Sequence, residues 1–105
     1  ALEMLRAAGL AERVVIDASH DNSAKDPEQQ IAAAGQIGDQ IAAGNAAIVG
    51  VMLESFLVEG RQELGPGDVD SLTYGQSITD PCIDWEETVG VLERLAAAVR
   101  ARRGA

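Results

Sequence analysis

Two short β-branched apolar runs, Val14 to Ile16 and Ala46 to Leu53, flank a segment carrying helix start and stop signals, and this arrangement is the strongest constraint on the fold. Runs that are apolar along their whole length, rather than alternating, suit strands covered on both faces. Two such strands joined by a helix pair in parallel through a right-handed crossover. Between them Asp26 stands as an N-cap, Pro27 takes the first helical position and Gln29 completes a capping box. Ile31, Ala34, Ile37 and Ile41 then recur on one helical face, Gly35 and Gly38 permit close approach of a neighbour, and Gly44 ends the helix.

The same alternation extends outward. Leu2, Leu5 and Ala8 place a helix ahead of the first strand with Gly9 as its stop, and the chain enters that helix directly from Ala1, as expected of a chain cut mid-fold. From Ser55 to Ser77 the pattern dissolves around Gly60, Gly65, Pro66, Gly67 and Gly75, a connection long enough to suggest a functional loop. A brief strand through Ser77, Ile78 and Thr79 precedes Asp80; Asp84 and Glu87 then mark the start of a last helix. That helix is expected to reach about Arg102, with Gly104 beyond its end, Leu92, Leu95, Ala96 and Val99 as its buried stripe, and Trp85 as its anchor. The fold class is therefore α/β with parallel strands, without a domain boundary inside the chain.

Composition narrows the functional classes. With 105 residues, 47% of them apolar, the chain has material for one globular domain, and no apolar run reaches the length of a membrane span or resembles an export leader. Seventeen acidic residues against 8 basic ones leave a net charge of −9, which repels nucleic-acid backbones and anionic membranes. The local exception, Arg100, Arg102 and Arg103, reads as cations at a helix C-terminus. Cys82 is the single cysteine and has no internal disulfide partner, so a reducing, cytoplasmic setting is expected.

Three potential metal ligands each fall just beyond an expected strand: His20, Glu54 and Asp80. They are 34 and 26 residues apart, bracketing the roughly 31 residues per strand-helix unit of an eightfold barrel. Singly, each has a plainer reading, as a loop histidine, a solvated strand end and a helix cap before Pro81. Together, one imidazole and two carboxylates suit Mn²⁺, Fe²⁺, Co²⁺ or Zn²⁺ with positions left open for substrate oxygen. Cys82 lies two residues from Asp80, but reads as a small buried hydrophobe rather than a further ligand. Asp21, Asn22, Ser23 and Lys25 fit either a phosphate contact or a polar turn leading to the helix cap.

The strings VVIDASHDNSAKD, AAIVGVMLESFLVEGRQ and LTYGQSITDPCIDWEET, followed by AVRARRG, resemble successive signature segments of type I 3-deoxy-D-arabino-heptulosonate 7-phosphate (DAHP) synthases in order and spacing. This resemblance implies the C-terminal section of a (β/α)₈ TIM barrel, residues 1–105 forming part of one catalytic domain. The activity it implies is condensation of phosphoenolpyruvate with erythrose 4-phosphate, with release of inorganic phosphate. The implied metal ligands are His20, Glu54 and Asp80, plus a cysteine upstream of Ala1 that Cys82 does not match. Asp80 is also implied as a catalytic contact to the sugar hydroxyls, and the cationic grip on phosphoenolpyruvate is expected upstream. Asp21 and Phe56 depart from the family pattern, which has a small residue and often a histidine at those places, and the loop from Gly65 to Ser71 looks extended. A barrel section leaves open sheet edges, so the chain by itself is expected to be inactive and to associate as a homo-oligomer. The alternative is a non-catalytic oligomerising or regulatory module derived from the barrel.

Overall fold

In the computed structural model, residues 1–20, 25–65, 67 and 69–104 are described. The element order is α1 (Leu2–Ala7), β1 (Val14–Asp17), α2 (Pro27–Ala42), β2 (Ile48–Met52), β3 (Val58–Arg61), a 3₁₀ turn (Val69–Ser71), β4 (Gln76–Ser77) and α3 (Trp85–Gly104). As expected from the apolar runs, β1 and β2 pair in parallel, Ile16 opposite Val51 and Asp17 opposite Met52. Helix α2 is the crossover between them, and α3 packs beside it.

Local signals account for most element ends. Gly9, at φ 72°, and Gly44, at φ 106°, occupy left-handed positions after α1 and α2, where a side chain would be strained. Asp26 caps α2 by accepting from the Glu28 amide at 2.9 Å, and Pro27 opens that helix without a missing donor being felt. Asp84 caps α3 by accepting from the Glu87 amide at 2.8 Å.

The core is the layer between the sheet and the two helices. Ala34, Ile37 and Ile41 from α2, Ile48 from β2, Val91 and Ala98 from α3, and Ala18 and Ile83 from the connecting segments are buried together. Gly35 and Gly38 do face α3: a Cβ on Gly35 would meet the Arg94 guanidinium at 2.7 Å, and one on Gly38 would touch Leu95 and Ala98. The opposite side of the sheet is uncovered, with Val15 65% exposed and Val49 also open. The radius of gyration is 16.6 Å within a 52 × 31 × 16 Å envelope, against about 13 Å for a self-contained domain of this length. Among the described residues, no helix is long and apolar enough to cross a membrane.

Five expectations change. The connection from Ser55 contains β3, which pairs in parallel with β4. The VEGR sequence of β3 lacks an apolar run, and its pairing partner is distant in sequence. The brief strand before Asp80 is only Gln76–Ser77 and pairs with β3; contact with the end of β2 comes instead from Ile83, bridged in parallel to Ser55. On α3 the buried stripe is Thr88, Val91 and Ala98, with Leu95 and Val99 packed against the core; Leu92 is 50% exposed and Ala96 lies outside. The two stripes have the same period and differ by a small rotation, which contact with α2 decides. Trp85 is 56% exposed in the first turn of α3 and is not among the residues packed against the core cluster. The helix also continues through Gly104. Its Arg102 does more than face the helix dipole: the guanidinium donates to the Asn45 and Ile48 carbonyls at 2.9 and 3.0 Å, tying the last turn to the start of β2.

Candidate metal centre

Each expected ligand sits where chain direction changes after a strand. His20 follows β1 and Glu54 follows β2, and because the strands are parallel, with Asp17 opposite Met52 at their ends, both emerge at the same edge. Asp80 lies on the bend between β4 and the Ile83 bridge. That bend is held by its backbone: the Thr79 amide donates to Ser77 Oγ at 3.1 Å, and Arg61 Nε donates to the Thr79 carbonyl at 2.7 Å.

The structure brings all three together, with one donor atom from each within 4.8 Å of the others. His20 Nε2 is 2.6 Å from Glu54 Oε1 and 3.5 Å from Asp80 Oδ2. Donors sharing one ion at about 2.1 Å stand about 3 Å apart, so these separations fit a common divalent cation, and the nitrogen-oxygen donor set suits the metals named above.

The orientation of His20 is set from behind. Asp17, the last residue of β1, places Oδ2 2.6 Å from His20 Nδ1, while Oδ1 accepts from Ser19 Oγ at 2.7 Å and from the Ser19 and His20 amides at 2.8 and 3.3 Å. With Nδ1 directed at a carboxylate, Nε2 is the nitrogen facing Glu54 and Asp80. Bonds from the Ser19 hydroxyl first, then from the His20 ring, hold the Asp17 carboxyl far below the usual carboxylate range. The Asp17 hydrogen bond likewise raises the His20 pKa; partial burial opposes this, and the charges of Asp17, Glu54 and Asp80 reinforce it. This histidine therefore holds a proton more firmly than a free imidazole until something else claims Nε2.

The remaining candidates separate. Lys25, at φ 61°, extends Nζ to 3.9 Å from Asp80 Oδ1, beside the carboxylate cluster. Asp21, Asn22 and Ser23, the rest of that phosphate reading, lie outside the described residues. Cys82 is buried and its thiol points at the Asp80 carbonyl, 3.6 Å away; burial raises its pKa, favouring a packed thiol over a ligating thiolate. Phe56, one of the two departures noted in the sequence, is exposed.

Two contributors escaped sequence reasoning. Asp17 carried a local signal, a carboxylate three residues before the histidine on the strand end. Gln30 carried a subtler one, a polar residue in register with Ala34, Ile37 and Ile41 on the buried stripe of α2. Its carboxamide bonds both backbone groups of Glu54.

A parallel α/β unit that gathers one histidine and two carboxylates at its strand ends has the donor groups from which a metal-dependent site can be built at the C-terminal edge of a sheet. The comparisons with known proteins narrow that reading. The chain belongs to the DAHP synthetase I family, whose family model matches residues 1–93. It is 52% identical over 102 residues to the Phe-sensitive phospho-2-dehydro-3-deoxyheptonate aldolase of Escherichia coli K12, covering 97% of this chain and 29% of that protein. The tyrosine-inhibited phospho-2-dehydro-3-deoxyheptonate aldolase of Schizosaccharomyces pombe is 50% identical over 101 residues, covering 94% of this chain and 27% of its own length. The solved structure of the phospho-2-dehydro-3-deoxyheptonate aldolase of Francisella tularensis SCHU S4 superposes with a TM-score of 0.87 at 48% identity, over 96% of this chain and 28% of that one. The chain thus spans less than a third of the length of these relatives.

Proposed function

We propose that this chain is the C-terminal section of a DAHP synthase barrel, residues 1–105 belonging to one catalytic domain, and that it supplies three ligands of the enzyme's metal centre. The observation carrying this reading is the convergence of His20, Glu54 and Asp80 on one point. The uncovered sheet face at Val15 and Val49 and the extended envelope support a piece of a larger (β/α)₈ structure. The complete enzyme condenses phosphoenolpyruvate with erythrose 4-phosphate to give DAHP and inorganic phosphate, in the cytoplasm and as a homo-oligomer. By itself the chain is inactive, because the groups that grip phosphoenolpyruvate lie outside it.

His20, Glu54 and Asp80 would hold a divalent cation, Mn²⁺, Fe²⁺, Co²⁺ or Zn²⁺, which would supply Lewis-acid polarisation of the aldehyde. The residues around it do the positioning. Asp17 fixes the His20 ring so that Nε2 faces the donor cluster. Glu54 has the least exposed side chain of the three. Asp80, more open and beside Lys25, is placed to ligate and to accept from substrate hydroxyls.

Calorimetric titration of Mn²⁺ and Zn²⁺ into the 105-residue chain tests this reading, alongside a variant combining His20→Ala and Glu54→Ala. One saturable site in the parent, absent from the variant, without phosphate release from the two substrates, is the expected result. Turnover by the chain would overturn the inactive-section reading; absence of metal binding in the parent would overturn the metal centre.

A further inference from the structure

Among the described residues, the Glu54 backbone is held by one side chain from another element. Gln30, in the first turn of α2, is 1% exposed. Its Oε1 accepts from the Glu54 amide at 2.6 Å and its Nε2 donates to the Glu54 carbonyl at 3.2 Å. One carboxamide thereby imitates a neighbouring strand, giving Glu54 the donor-acceptor pair that a ladder partner would give. The imitation is needed there because the β1 ladder has run out: the last of its bonds to β2 is from the Ala18 amide to the Met52 carbonyl, after which the chain turns through Ser19 toward His20. A second bond to the Glu54 carbonyl comes from the Ile83 amide at 3.0 Å, so the same residue is also tied to the segment that follows Asp80.

From this geometry we infer that Gln30 is a positioning residue for the metal centre, locking the backbone of Glu54 so that its carboxylate meets His20. The inference rests on the metal-centre reading above and extends it to a residue that touches neither metal nor substrate. A buried glutamine on an otherwise apolar helical stripe loses more side-chain entropy and solvation than a leucine would; its two bonds to the Glu54 backbone, one to the peptide on each side of that residue, offset the cost and hold the residue in place. A ligand backbone free to shift by a fraction of an ångström would misplace the carboxylate, whereas a locked one keeps its donor atom preorganised.

The test uses Co²⁺ as probe, because its visible bands report coordination geometry as well as occupancy. In the full-length protein, Gln30→Leu keeps the volume and removes both bonds; Gln30→Glu keeps an acceptor for the Glu54 amide and loses the donor. The expected result is a 10- to 100-fold weaker Co²⁺ affinity for Gln30→Leu, a smaller loss for Gln30→Glu, and altered visible bands at saturation in both. Ile37→Ala is the control for general loosening, since it empties core volume without touching a ligand. It is expected to lower the melting temperature while leaving the saturated spectrum unchanged. Should Gln30→Leu behave like that control, with parent-like affinity and bands, the positioning role is overturned while the metal centre stands. Should the unmodified protein bind no Co²⁺, the metal-centre reading falls and this inference with it.

Discussion

The unit of β1, α2, β2 and α3 and the segment from Phe56 to Cys82 are held together by different forces. In the first, Ala34, Ile37, Ile41, Ile48, Val91 and Ala98 are buried in one continuous cluster, so stability comes from area removed from water. In the second, Phe56, Leu57, Leu64, Val69 and Tyr74 are exposed, and order comes from hydrogen bonds, those of the β3–β4 pairing and those from side chains to backbone. Gln62 donates to the Thr73 and Gln76 carbonyls at 2.8 and 3.0 Å and accepts from the Thr73 amide at 2.8 Å; Gln76 donates to the Glu59 carbonyl at 2.9 Å. The candidate site straddles the two. His20 and Glu54 come from the apolar unit and approach to 2.6 Å; Asp80 comes from the hydrogen-bonded segment and stands 3.5 Å from the same ring nitrogen. The lesson is that two candidate ligands stand on strands anchored in a packed core and are aimed from there by Asp17 and Gln30, whereas the third rests on a segment held by polar ties that water can compete for.

The comparison can be broken most directly in the core. Ile37→Ala removes a 4% exposed side chain between helix and sheet, and is expected to cost about 3 kcal/mol in urea unfolding of the full-length protein. A cost below about 1 kcal/mol would mean that the helices are not held by burial. Next in size, Gln62→Leu is expected to cost about 1 to 2 kcal/mol and to speed proteolytic cleavage between residues 63 and 72, leaving the β1 and β2 amides as protected from hydrogen exchange as before. Equal loss of protection in both regions would show that they unfold as one. The smallest effect sharpens the contrast: Trp85→Ala, at a residue 56% exposed, should change stability by no more than about 0.5 kcal/mol in the 105-residue chain. A loss of several kcal/mol there would restore the anchoring role expected from sequence.

Much of the site was legible in the chain because its signals are short. His20, Glu54 and Asp80 are a chemically matched trio at element ends, and parallel order brings the ends of β1 and β2 to one edge. The shared buried cluster and the ties around Asp80 complete the meeting. Gln30 was less legible because its partner is 24 residues away, and glutamine on an apolar stripe does not announce which peptide it will bond. Strand β3 was hidden for a similar reason, its pairing with β4 being made across a loop rather than written in its own pattern.

What the sequence determined by itself is therefore local: where helices begin, which apolar runs become strands, and which residues can ligate. Caps, φ preferences and hydrophobic period act over three or four residues and need no distant partner. The tertiary structure alone decided the rotation of α3, the exposure of Trp85, the tie from Arg102 to β2, and the grip of Gln30 on Glu54. Each is a choice among locally equivalent arrangements, settled only when another element supplies the apolar surface or the backbone group that distinguishes them.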